Sequence, residues 1–149
     1  MLDWFDWSAI THFRPAEFGE WRHLEPALIY ALDELRDALG SPIVIHEAWA
    51  PGTGHATESQ HYAGRAVDCS APGIPLLDFW LWAERCPVFK GIGIYPHWNR
   101  PGLHLDIRPT ELRARWRQDA AKAYWPVTSA NLNWHETGRV LSLTELHPK

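Results

Sequence analysis

Cysteine is scarce: Cys69 and Cys86 are the only two among 149 residues. Two thiols make at most one bridge, and their spacing matches no zinc-finger set, so neither a disulfide framework nor a structural zinc finger organises this chain. Both read as small buried hydrophobes, the ordinary fate of free cysteine. Positive charge is not in excess either. A formal charge of −4 and a pI near 6.1 exclude a surface built to grip nucleic acid or anionic lipid. Long apolar runs are missing as well: the densest, Ile74 to Ala83, contains Asp78 and is far too short to cross a bilayer. The first residues, Met1-Leu2-Asp3-Trp4-Phe5-Asp6, lack the basic stretch and apolar run of a secretory signal. The expectation is a soluble protein made in the cytoplasm, with no membrane partner.

What is present suffices for a core. With 46% hydrophobic residues over this length, residues 1–149 are expected to form one domain. No internal repeat, low-complexity tract or linker interrupts it. Ten tryptophans are many for the size; packing in a core or groove explains them more simply than a ligand platform. The basic residues from Arg108 to Arg117 read as the solvated face of a helix.

Periodicity gives the elements. A short helix is expected after Pro15, a favoured first-turn residue. Leu28, Leu32, Leu35 and Leu39 recur at helical spacing, so a helix runs from about Glu25 to Leu39, with Pro26 in its first turn and Gly40 as its stop. Ile43 to Ile45 is a short buried strand, Pro51 to Gln60 a loop, and Ala66 to Cys69 a second strand. Pro75 to about Cys86 is a helix ended by Pro87, and Gly91 to Tyr95 a third strand. Leu103-His104-Leu105-Asp106-Ile107 alternates apolar and polar residues, which predicts a strand with Leu on the core and His104 and Asp106 facing a cleft. A last helix is expected from Thr110 to about Ala123. Segregated helices and short antiparallel strands make this an α+β fold.

The chemistry-bearing segment is Ser59-Gln60-His61-Tyr62-Ala63-Gly64-Arg65-Ala66-Val67-Asp68. A histidine enters from the loop, a glycine lets the chain turn back, and an aspartate follows inside an apolar strand. Buried among Ala66, Val67 and Cys69, Asp68 needs a partner, because an unpaired buried carboxylate costs several kcal/mol. A metal, an arginine or backbone amides would each serve. His104 waits on another strand, and two imidazoles with one carboxylate match the ligand types of catalytic zinc, with a fourth position left for water.

These stretches, with Gly91-Ile92-Gly93-Ile94-Tyr95-Pro96 and Leu103-His104-Leu105-Asp106-Ile107-Arg108, resemble the D-alanyl-D-alanine carboxypeptidase family of zinc peptidases, which includes phage L-alanyl-D-glutamate endopeptidases. The likeness runs over roughly residues 11–109 and takes in the aromatic segment from His12 to Phe18. It implies a hedgehog/D-Ala-D-Ala-peptidase-like fold, a small antiparallel sheet with helices packed on one side. It also implies Zn2+ held by His61, Asp68 and His104, with Ser59 and Asp106 orienting the ligands. Bound zinc would lower the pKa of its water and polarise a substrate carbonyl. The implied activity is hydrolysis of peptide bonds in peptidoglycan stem peptides, and a phage or prophage origin would account for a wall enzyme without a signal.

Two departures stand out. The glutamate or histidine that many members carry just before the last ligand, as general base, is replaced here by Arg100-Pro101-Gly102-Leu103. The arginine that many carry after the first core strand is replaced by His46-Glu47-Ala48-Trp49. His97, in the loop before the last strand, is the expected substitute for proton transfer, and failing it one of the carboxylates Glu58 and Glu47. The alternative expectation is a catalytically impaired zinc-binding module for wall recognition, or a structural part of a phage particle.

Overall fold

The computed structural model describes residues 4–128. Three 3-10 turns, Trp7–Ala9, Pro15–Phe18 and Trp21–His23, precede helix α1 at Pro26–Leu39. Strands β1 (Val44–Glu47) and β2 (Ala66–Ser70) follow, then helix α2 (Leu76–Glu84) and strands β3 (Gly91–Tyr95), β4 (Gly102–Asp106), β5 (Ala114–Gln118) and β6 (Tyr124–Pro126). This is an α+β fold, as the periodicity implies. The sheet runs in the order β1-β2-β4-β3-β5-β6.

Helix α1 forms where the leucine spacing puts it. Leu28, Leu32 and Leu35 are fully buried, Pro26 occupies the first turn, and Gly40 ends the helix in the left-handed conformation, its N–H on the Arg36 carbonyl. Helix α2 buries Phe79, Trp80 and Ala83. One buried cluster reaches from Ile10 and Phe13 through the α1 leucines to Ile92, Leu103, Leu105 and Val127. Burying apolar side chains of this size contributes about 1.5–3 kcal/mol each. Cys69 lies in this cluster, whereas Cys86 is half-buried; both are free thiols.

Two expectations need correction. The segment Thr110 to Ala123 is not a helix: residues 114–118 form β5, which pairs parallel to β3 and antiparallel to β6. Ala, Leu, Arg and Gln favour a helix locally, but tertiary contacts override so weak a preference. Arg113 donates to Glu84 and to the carbonyls of Glu84, Cys86 and Phe89, and Arg115 donates twice to Glu84. Arg117 is buried. Arg113 and Arg115 therefore staple the start of β5 to α2, while Arg108 turns to Asp106, and the basic run is not a solvated helix face. The second correction follows from the first: the sheet is mixed, since β3 and β5 are parallel.

Register places the site. Glu47 stands opposite Asp68, Asp68 opposite His104, His104 opposite Gly93, and Gly93 opposite Trp116. Laterally paired residues project to the same face of a sheet. Five adjacent strands thus contribute one row, Glu47-Asp68-His104-Gly93-Trp116. A Cβ on Gly93 would come within 2.5 Å of the Trp116 indole nitrogen, so the glycine opens the space through which Trp116 approaches His104.

Candidate metal centre

Each histidine of the triad has one ring nitrogen already committed. His61 is buried on the turn before β2, and its Nδ1 donates to the carbonyl oxygen of Ala48 at 2.7 Å. A carbonyl only accepts, so Nδ1 carries the hydrogen. The other nitrogen, Nε2, lies 3.3 Å from Asp68 Oδ1. On β4, His104 donates from Nε2 to Asp106 Oδ2 at 2.8 Å, and its Nδ1 lies 3.1 Å from the same Asp68 Oδ1. Asp106 is fully buried and is gripped by Arg108 through Nε and a terminal guanidinium nitrogen, at 2.8 and 2.6 Å. That pairing keeps Asp106 an acceptor.

The consequence is electrostatic. With Nδ1 of His61 and Nε2 of His104 spent as donors, each neutral ring turns a lone pair toward one carboxylate oxygen. Three electron-rich atoms in mutual reach require a cation, either a proton on each ring or a metal ion among them. Ligand atoms of His61, Asp68 and His104 lie within 4.8 Å of one another, and the donor types suit zinc. Hydrogen bonds from metal-binding histidines to a carbonyl or carboxylate are the usual means of fixing tautomer and ring direction. The residues fit the group.

Titration directions agree. Burial pushes the Asp68 carboxyl up, but hydrogen bonds and charge from His104 and His61 outweigh it and hold Asp68 well below the usual carboxylate range. Burial works against a charged His104 ring, yet Asp106 and Asp68 raise its pKa. Asp106, also raised by burial alone, is held low by Arg108 and His104.

The loop carrying His61 is fixed by Gly64, whose φ is +71°, and a side chain there would collide with the His23 carbonyl oxygen. The Gly64 carbonyl accepts from the Glu25 amide at 2.9 Å, tying the loop to the start of α1. Glu25 also takes a hydrogen bond from Arg65 at 2.6 Å.

Among the described residues a second group also converges, Glu47, His55 and His61. His55 Nε2 is 2.9 Å from Glu47 Oε2, and its ring stacks on His61 with centroids 4.3 Å apart. Both groups need His61, whose single remaining lone pair serves one ion. Asp68 and His104 have the better claim, since both are less exposed than Glu47 and His55 and His104 is oriented from behind by Asp106.

The sequence-derived site residues fall in different places. Ser59 accepts from the backbone N–H of His61 at 3.3 Å, so it braces the turn while the ring is oriented by Ala48. Asp106 meets the His104 ring directly. Glu58 is exposed and lines the cavity over the triad. His97 is exposed in the turn after β3 and is not brought to the triad; its neighbour Trp98 lines the cavity instead. Glu47 stands at the other side, in an adjoining cavity that also contains Asp68.

Sequence reasoning missed the orienting carbonyl of Ala48, the His55–Glu47 pair and an aromatic wall. Tyr95 stacks on Trp98 with centroids 4.1 Å apart, and Trp116 donates from its indole N–H to the Tyr95 hydroxyl at 2.9 Å. Burial pushes the Tyr95 phenol up, which keeps it neutral. Trp116 in turn lies 5.2 Å from the His104 ring. Only Gly93, a residue with no side chain inside a strand, signals this wall in the sequence. No protein-family model matches the chain, and no curated protein does.

Proposed function

We propose that this chain is a zinc-dependent metallopeptidase that hydrolyses peptide bonds in peptidoglycan stem peptides, on a hedgehog/D-Ala-D-Ala-peptidase-like fold. One observation carries the reading: both imidazoles are locked from behind so that their remaining nitrogens meet at Asp68 Oδ1. The motif resemblance supplies the substrate class. When bound, zinc supplies an acidified water and polarises the carbonyl under attack.

The chain's own residues do the rest. Asp68, His61 and His104 hold the ion, and Ala48 and Asp106 hold the rings. Glu47 is the favoured proton acceptor, since its carboxylate is on the same lateral row and its ligating oxygen lies within 4.8 Å of a His61 nitrogen. His55 Nε2 at 2.9 Å keeps that carboxylate in place. Glu58 lines the cavity on the other side and is the second candidate. Tyr95, Trp98 and Trp116 exclude water from one flank of the cleft and offer flat apolar surface to a peptide.

The test is release of new amino groups from purified peptidoglycan, with zinc and with a chelator, beside elemental analysis of the protein. One equivalent of zinc and chelator-sensitive release are expected. Zinc without release would favour the second reading, an impaired wall-recognition or phage structural module. Support for that reading comes from His97, which is exposed and lines none of the cavities at the triad, and from the exposed rings of Trp4, Tyr124 and Trp125.

A further inference from the structure

We infer that the peptide threads across the triad and is cut at an internal bond, with Arg100 holding an acidic side group of the substrate on the β1 side. This rests on the peptidase reading above and specifies how that site is used.

The observation is a series of three adjoining cavities, none of them enclosed. The first, about 700 Å³, lies over the triad and has Tyr95, Trp98, Trp116 and Tyr124 as its aromatic wall. The second, about 530 Å³, holds His46, Glu47, Asn99 and Arg100, and shares Asp68 and Trp98 with the first. The third, about 580 Å³, shares Asn99 and Arg100 with the second and continues over Ala71, Pro72, Ile74 and Leu76. Asp68 therefore sits where space opens to both sides. A site that trims single residues from a chain end needs a wall beyond the cut; here the cleft runs on.

Arg100 is the determinant on that side. Its guanidinium is exposed and has no ion-pair partner among the described residues, unlike Arg108, Arg113 and Arg115, which are all paired. Its backbone is nevertheless fixed. The Ser70 hydroxyl donates to the Arg100 carbonyl at 3.2 Å and so accepts from His46 Nε2 at 2.7 Å, binding the loop to β2 and β1. The second cavity otherwise presents the carboxylates of Glu47 and Asp68, which would repel an acidic peptide, so a guanidinium on an anchored backbone, without an ion-pair partner among the described residues, is what admits one there. Because the third cavity extends past Arg100, the bound carboxylate belongs to a residue within the peptide and not to its end.

The experiment uses a synthetic stem peptide whose glutamate α-carboxylate is free, and the same peptide amidated at that carboxylate. Zinc-loaded protein should cut the free form at an internal bond, read by mass spectrometry. Amidation, or Arg100→Ala, should raise KM about tenfold with kcat nearly unchanged, and Arg100→Lys should recover part of the loss. Calorimetric titration of both peptides onto zinc-free protein should show the same tenfold difference in Kd. Release of the C-terminal residue alone, or equal Kd for the wild type and Arg100→Ala, overturns the inference. If no peptide is cut but the tenfold difference in binding persists, the peptidase reading fails while the role of Arg100 stands.

Discussion

His61 Nδ1 donates to the Ala48 carbonyl oxygen across 2.7 Å, and that single hydrogen bond aims the opposite nitrogen at Asp68. The acceptor comes from the chain just after β1, so the direction of a histidine on one loop is decided by the backbone of another. His104 is aimed in the same manner by a side chain, Asp106.

Removal of a ligand should remove the ion. Asp68→Asn and His61→Ala are each expected to take bound zinc from about one equivalent to near zero, measured by elemental analysis after dialysis against trace zinc. Retention of a full equivalent in both would disprove the triad.

Asp106→Asn should separate orientation from ligation. All three ligands remain, but the His104 ring loses its charged acceptor, so zinc affinity should fall about 10- to 100-fold in a competitive chelator titration. The substitution also takes the charged partner from Arg108, which is itself part-exposed, so a cost of about 1–2 kcal/mol is expected in urea denaturation of the metal-free protein.

Glu47→Gln should leave zinc content unchanged and lower kcat by about 100-fold or more, the usual contribution of a positioned general base. Glu58→Gln is expected to change kcat much less, and His97→Ala to change nothing, since His97 is exposed and lines neither cavity beside the triad. Full activity in Glu47→Gln would transfer the role to Glu58.

The metal-free protein should have a stability optimum in mildly acidic solution. Asp68 and Asp106 have depressed folded-state pKa values. Their contribution is therefore present above the ordinary aspartate value of about 3.9 and is lost as pH falls through the depressed values. His104 is raised, so its contribution is complete below about 6.5 and is lost as pH rises through the folded value. Urea melts of the chelated protein should accordingly peak between about pH 4.5 and 6.5. Zinc binds the neutral rings, so its stabilisation should grow as pH rises through that range.

Gly64→Ala should fail structurally. At φ +71° and against the His23 carbonyl oxygen, a methyl group forces the ligand loop away from α1. A loss of roughly 2 kcal/mol or more is expected, with weakened zinc binding. Gly52→Ala, in open space at φ +91°, is the control: it carries the left-handed strain without the collision.

Local pattern settled a good deal. The leucine spacing of α1, the apolar run of Gly91 to Tyr95 and the alternation of Leu103 to Ile107 all lie where the sequence puts them, because periodicity of burial is written in residue order. The aspartate among apolar neighbours, part-buried in the structure, announced its need for a partner on the same grounds. Three things were decided only by the tertiary structure. Residues 114–118 became a strand because Glu84 and the edge of β3 were there to receive them, against their own helical preference. Glu47, rather than His97, came to the triad, because strand register, not distance along the chain, selects which side chains share a row. The tautomers of His61 and His104 were set by acceptors 13 and 2 residues away. Residue types can name a donor set, but the lone pair that each ring presents depends on what stands behind it, and that is a fact of packing.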